Sequence, residues 1–208
     1  DYLSGRSGED RRELPLMRVA GQNYIAYRKG AVVLYALQDY IGEDSMNKAF
    51  KRFLAKKKFD TDPYPVSKDL VREFSKVTPD SLQYLIKDMF KTITLYENRV
   101  EKADYKKLEN GDYQVTMTVK SDKYRADSLG RQRTIPVDDY SEMHTFGGQR
   151  AGNELGEPLY LEKHKIDEPT ETFTIKVGQK PGKAGLDPYL KLIDRNKDDN
   201  VTEVSKSS

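Results

Sequence analysis

The sequence predicts an α+β chain, with a helical segment over residues 1–95 followed by an all-β domain over residues 96–208. Three observations carry that division. Up to about residue 91 the apolar residues recur at helical spacing; beyond it they alternate with polar ones. The pair Asn110-Gly111 then supplies turn residues suited to a tight hairpin between two such alternating runs.

Residues 1–21 are polar and turn-rich, with Leu14-Pro15-Leu16 as the first anchor. Val33, Leu37, Tyr40 and Ile41 are spaced i, i+4, i+7, i+8 and define one face of a helix that Gly42 stops. Ala31, Val32, Leu34 and Ala36 widen its apolar surface nearly all round, which predicts deep burial. A second helix starts near Asp44, with Met46, Phe50, Phe53 and Leu54 on its inner face. Its last turns carry Lys51, Arg52, Lys56, Lys57 and Lys58, read as a solvated face that complements the negative helix end. Anion binding is the alternative use of that run. After Asp62-Pro63-Tyr64-Pro65 breaks the pattern, Ser67 is expected to cap a helix bearing Leu70, Val71, Phe74 and Val77. Thr78-Pro79-Asp80 then reads as the start of a helix carrying Leu82, Leu85, Ile86, Met89 and Phe90.

A strand is expected from Ile93 to Val100, and a hairpin from Tyr105 to Val119 around Asn110-Gly111. Thr134–Val137, Glu142–Phe146, Leu159–Ile166 and Glu171–Val177 are further strand candidates, and the glycine-rich segment 147–158 is expected to be a loop. Six or seven short strands at this spacing predict a β-sandwich, with an immunoglobulin- or fibronectin-like arrangement as the default.

Composition narrows the chemistry. The chain has no cysteine, hence no disulfide framework, thiolate zinc site or cysteine nucleophile. Its 36 basic and 34 acidic residues cancel to +2, which gives no electrostatic case for a nucleic-acid partner. Mean hydropathy is −0.83, yet fourteen Tyr and seven Phe argue for a packed core. No apolar run approaches the roughly 20 residues that cross a bilayer, so no membrane insertion by this chain is expected. It begins Asp1-Tyr2-Leu3, with neither Met nor a leader pattern, and is expected to be a piece of something longer.

No HExxH is present, and the two histidines, His144 and His164, lack a chelating partner at helical or strand spacing. Both are expected at a sheet surface or edge. Asp194, Asn196 and Asp198 offer oxygens at alternate positions, as a calcium loop begins. Asp199 stands where such a loop needs its glycine, however, and Ser205 where it needs its bidentate Glu. A polar turn is therefore the ordinary reading. No G-x-S-x-G elbow or glycine-rich phosphate loop occurs. Tyr27 stands just ahead of the buried helix, with Gly30 in its first turn, where a small residue permits close backbone approach. Its phenol either packs the domain, as most of the tyrosines should, or points from a rigid helix start into a cleft.

The stretch Tyr27-Arg28-Lys29-Gly30-Ala31-Val32-Val33-Leu34, followed by Ile41-Gly42-Glu43-Asp44, resembles a signature of the aminopeptidase N-like zinc metallopeptidases, or gluzincins. There a Y-x-K-G pattern, an apolar helix and I-G-E-x follow HExxH and its downstream Glu. The likeness continues through Phe50, Phe53-Leu54, Phe59, Tyr64-Pro65 and Asp69-Leu70, then Thr78-Pro79-Asp80, Asp88-Met89-Phe90 and Ile93-Thr94-Leu95-Tyr96-Glu97-Asn98. Asp112-Tyr113-Gln114-Val115, Ala184-Gly185-Leu186-Asp187-Pro188 and Leu192-Ile193-Asp194-Arg195 extend it along nearly the whole chain. These later stretches most resemble a bacterial branch whose peptidase domain ends a membrane protein with transporter-permease-like segments.

The resemblance implies that Tyr27 donates its hydroxyl to the oxyanion formed when zinc-bound water attacks a peptide carbonyl. It also implies that the zinc ligands and general base precede Asp1, so that this chain alone holds no catalytic zinc and cleaves nothing. The intact parent would take peptide substrates near a free N-terminus and would be membrane-associated, on the extracytoplasmic side. A non-enzymatic role stands beside this one: a peptidase-like binding or assembly module of a membrane transporter-like protein. An intact or substituted HExxH upstream separates the two.

Overall fold

The computed structural model describes residues 1–148 and 155–207. It is of the α+β class, and the chain divides into two compact units. One comprises Asp1–Thr94 with Arg125–Arg133, the other Leu95–Tyr124 with Thr134–Ser208.

The first unit is helical. A short helix α1 (Tyr2–Ser7) and a 3-10 turn (Leu16–Arg18) precede a π-helical turn (Tyr24–Lys29) that runs straight into α2 (Gly30–Ile41). Gly42, at φ 84°, ends α2 and donates its N–H to Gln38 at 2.8 Å. Helix α3 (Glu43–Lys57) and helix α4 (Ser67–Val77) follow, then a 3-10 turn (Asp80–Leu82), α5 (Gln83–Ile86) and a second π-turn (Lys87–Lys91). Val33, Ala36 and Leu37 of α2 meet Met46 and Ala49 of α3, Val71 and Phe74 of α4, and Leu85, Ile86, Met89 and Phe90 in one apolar core. Phe74 lies edge-on to Phe50, with ring centroids 5.4 Å apart.

Several local expectations change. Helix α2 is not buried all round: Ala31 and Tyr35 face solvent, because only the Val33–Leu37 side meets other helices. Leu54, expected on the inner face of α3, is 56 % exposed. Ser67 is the first residue of α4 rather than its cap; the Asp69 carboxylate instead accepts the Val66 N–H at 3.2 Å. Thr78 closes α4 rather than opening the next helix, since its hydroxyl donates to the Phe74 carbonyl at 2.9 Å.

The second unit contains two sheets. In chain order the strands are β1 (Ile93–Lys107), β2 (Tyr113–Ala126), β3 (Gln132–Ile135), β4 (Asp139–Gly147), β5 (Glu157–Ile166), β6 (Thr170–Val177), β7 (Pro181–Leu186), β8 (Val201–Glu203) and β9 (Ser205–Lys206). One sheet has the order β3-β2-β1-β9, with β6 also paired to β2; the other is β5-β4-β7-β8. Val115, Met117 and Val119 of β2, with Ile175 and Val177 of β6, share a core with Met143, Ile166, Ala184 and Leu186 of the second sheet. Residues alternating along β2 thus bury one side of the strand, as a sandwich-like unit requires.

The β1–β2 turn differs from the expected two-residue type. Only Gly111 has a positive φ, at 94°; its N–H donates to Leu108, and the Leu108 N–H donates to Asp112. This is a three-residue loop, in which one left-handed glycine follows a regular turn. Strand β1 is also continuous from Ile93 through the expected gap at Val100–Tyr105. Much of the expected glycine-rich loop, residues 149–154, lies outside the described residues.

Candidate functional site

The π-turn determines how Tyr27 is presented. The Gly30 N–H donates to the Ile25 carbonyl, five residues back rather than four. This wide turn buries Tyr24, Ile25 and Lys29 while leaving Ala26, Tyr27 and Arg28 outside. Tyr27 is 74 % exposed, and its hydroxyl has no partner among the described residues. It is therefore not a packing residue. Ala31 and Tyr35, four and eight residues on, are exposed as well. Arg28 ties the turn to the chain start through a 3.0 Å hydrogen bond from Nη1 to the Asp1 carbonyl.

Beneath the turn lies a buried charged assembly that the sequence does not announce. Lys29 is 1 % exposed; its Nζ has no hydrogen-bond acceptor and sits 4.8 Å from the Tyr2 ring centroid. Burial pulls this ammonium from its ordinary 10.5 down to about 8. The Tyr2 ring stacks on Tyr24, with centroids 5.9 Å apart, and its hydroxyl donates to the buried Glu13. Glu13 also accepts from Arg6 Nε at 2.6 Å. Burial, followed by the nearby Glu13 charge, raises the Tyr2 phenol well above its usual value. Gly5 permits this stacking, because a Cβ there would overlap Tyr24 Cβ. Gly30 has no such role: a Cβ on it would meet Leu16 at 3.7 Å, an ordinary contact, so the expected close approach there is absent.

An open cleft of about 280 Å³ is lined by Arg6, Glu13, Tyr24 and Gly130 among others. Tyr27 does not line it. What the arrangement offers at Tyr27 is a phenolic O–H, held by a turn whose adjacent residues are locked into the helical unit and open to whatever covers that face.

The other candidates are placed differently. His144, expected at a surface or edge, is fully buried, because β4 is a central strand between β5 and β7. It stacks on Phe146 and approaches Glu142 Oε2 at 3.3 Å. Glu142 in turn accepts from Lys191 Nζ at 2.5 Å and Lys163 Nζ at 3.1 Å. His164, on β5, is half-buried, with Nε2 2.6 Å from the Tyr160 hydroxyl. Asp194 is buried, and its carboxylate accepts the Asn98 N–H at 2.8 Å and the Asn196 N–H at 2.9 Å. The Asn196 side-chain oxygen faces the Asp198 N–H. The alternating oxygens therefore organise the chain's own backbone. Among the described residues there is no group of three or more His, Cys, Asp or Glu that could hold a metal ion. Also among them, no helix is long and apolar enough to cross a membrane.

Comparison with known proteins finds no matching family model and no matching curated relative.

Proposed function

We propose that this chain is the C-terminal portion of an aminopeptidase N-like zinc metallopeptidase, of the bacterial branch joined to permease-like membrane segments, and that Tyr27 is its oxyanion donor. The observation that carries the reading is the exposure of Tyr27. Its Y-x-K-G neighbours Lys29 and Gly30 are buried, whereas the phenol stands free on the outer side of the turn. A hydroxyl held by a rigid element can stabilise charge that develops on a substrate carbonyl oxygen without reorganising during the reaction. The buried Lys29–Tyr2–Glu13–Arg6 assembly supplies that rigidity. Peptide is the substrate class, and the catalytic metal belongs to residues other than those described.

The same proposal takes the two-sheet unit as an immunoglobulin- or fibronectin-like sandwich. Its support is the shared core of two sheets built largely from antiparallel pairs, such as β2–β6 and β4–β5. The test is steady-state peptidase turnover of the intact parent with Tyr27→Phe. A loss of roughly 10²–10³ is expected for one missing oxyanion donor. Unchanged turnover, or a parent without a complete HExxH, would assign the chain to the non-catalytic binding module instead.

A further inference from the structure

The connection between α3 and α4 carries a second surface with no role in the site above. Four of its apolar side chains face water: Leu54 in the last turn of α3, then Phe59, Tyr64 and Val66, at 56, 92, 71 and 58 % exposure. Phe59 is the most telling of them. It occupies a left-handed backbone conformation at φ 67°, where a bulky residue is an outlier and glycine or asparagine is the usual choice. Its ring is unfavourable in that backbone and gains no burial in return. Folding of this unit does not explain a phenylalanine there.

Charge is dense along the same stretch of chain. Residues 51–68 hold six basic side chains and two acidic ones, in a chain whose net charge is only +2. Lys57 pairs with Asp60, and Lys56 with Glu73, which also takes Lys76; Asp69 takes Arg72. Lys51, Arg52, Lys58 and Lys68 have no ion-pair partner among the described residues, and Lys51, Lys58 and Lys68 are exposed. Asp62, also exposed, is the one acid of this stretch without an ion-pair partner among the described residues, so the segment that carries the exposed rings keeps an excess of positive charge.

We infer that this tip docks peripherally on an anionic lipid surface. Phe59 and Tyr64 would enter the headgroup layer, and the lysines would meet lipid phosphates while their stems lie along the apolar boundary. Size favours lipid over a protein partner. A stable protein interface uses about 20–30 residues a side, whereas the exposed members of this patch are the four apolar side chains with Lys51, Lys58 and Lys68. Aromatic rings bordered by lysine are the composition that settles at a membrane–water interface.

The experiment uses the 208-residue chain and vesicles of phosphatidylglycerol mixed with phosphatidylcholine, against phosphatidylcholine alone. Because the chain has no tryptophan, Phe59→Trp places a single indole at the tip. Its emission should shift to the blue with the anionic vesicles and stay unmoved with the neutral ones. In co-sedimentation, Phe59→Ser should weaken binding about tenfold, as expected for losing one partly buried ring. Lys51→Gln combined with Lys58→Gln should weaken it about as much, and added salt should release the chain. All of these residues are exposed, so melting temperatures should match the parent chain. An indole that does not respond overturns the inference, as does Phe59→Ser binding like the unaltered chain. A dimer in sedimentation that Phe59→Ser abolishes, without vesicle binding, would assign the tip to a second copy instead.

Discussion

Lys29 and Asp187 show what burial does to single charges in the two units. The Lys29 ammonium has an aromatic face and no acceptor, so folding disfavours its charged form. Between about 8 and the ordinary 10.5 the unfolded chain holds a proton that the folded chain has lost. Stability therefore rises with pH across that window and is flat below it, by an amount on the order of 3 kcal/mol. Urea unfolding of Lys29→Met should show no such rise and a higher midpoint at neutral pH. Asp187 runs the other way. Burial raises its carboxyl from 3.8 to about 7, against the Leu192 and Lys191 backbone N–H groups that favour the anion. Here the folded state holds the proton more tightly, so stability falls as pH rises from about 4 to 7. Asp194, raised to about 6 by burial, adds to the same slope. Asp187→Asn should remove the upper part of that fall in thermal unfolding and leave the part below about 6.

At the scale of elements, two glycines that look alike in sequence separate. Gly5→Ala drives a methyl into Tyr24 and should cost about 1–3 kcal/mol as an overpacked contact. Gly30→Ala meets only ordinary contacts at φ −58° and should stabilise the first unit by about 0.5–1 kcal/mol. Chemical denaturation of the two variants distinguishes them by sign. The same pair shows where sequence reading stops. Val33, Leu37 and Gly42 announce α2, because periodicity and a left-handed stop are local signals. Helix α1 is too short for periodicity and is held by Tyr2 packing on Tyr24, a contact between distant residues. Strand β7 hides in Pro181-Gly182-Lys183-Ala184-Gly185, where a proline and two glycines leave no alternating apolar pattern to read. Its glycines are there because a Cβ on Gly182 would overlap the Gly148 backbone and one on Gly185 would crowd Pro188 and Val201.

For the whole molecule, the α+β class was legible because helical and alternating patterns occupy separate stretches of chain. The contribution of Arg125–Arg133 to the helical unit was not, since that segment is marked by tertiary contacts alone, such as the Arg125–Asp88 ion pair at 2.6 Å. Tyr27 was visible as a candidate through the Y-x-K-G resemblance, yet its exposure depends on a π-turn that has no sequence signature. The buried partners of Lys29 come from residues 2–13, a stretch that reads only as polar and turn-rich. The measurement that bears most directly on the central claim is the separate determination of kcat and KM for Tyr27→Phe in the intact parent, with a peptide substrate. If Tyr27 is the oxyanion donor, kcat falls roughly 10²–10³ while KM stays near its original value, because the bond is made only in the transition state. A near-normal kcat, or a loss confined to KM, would contradict the account.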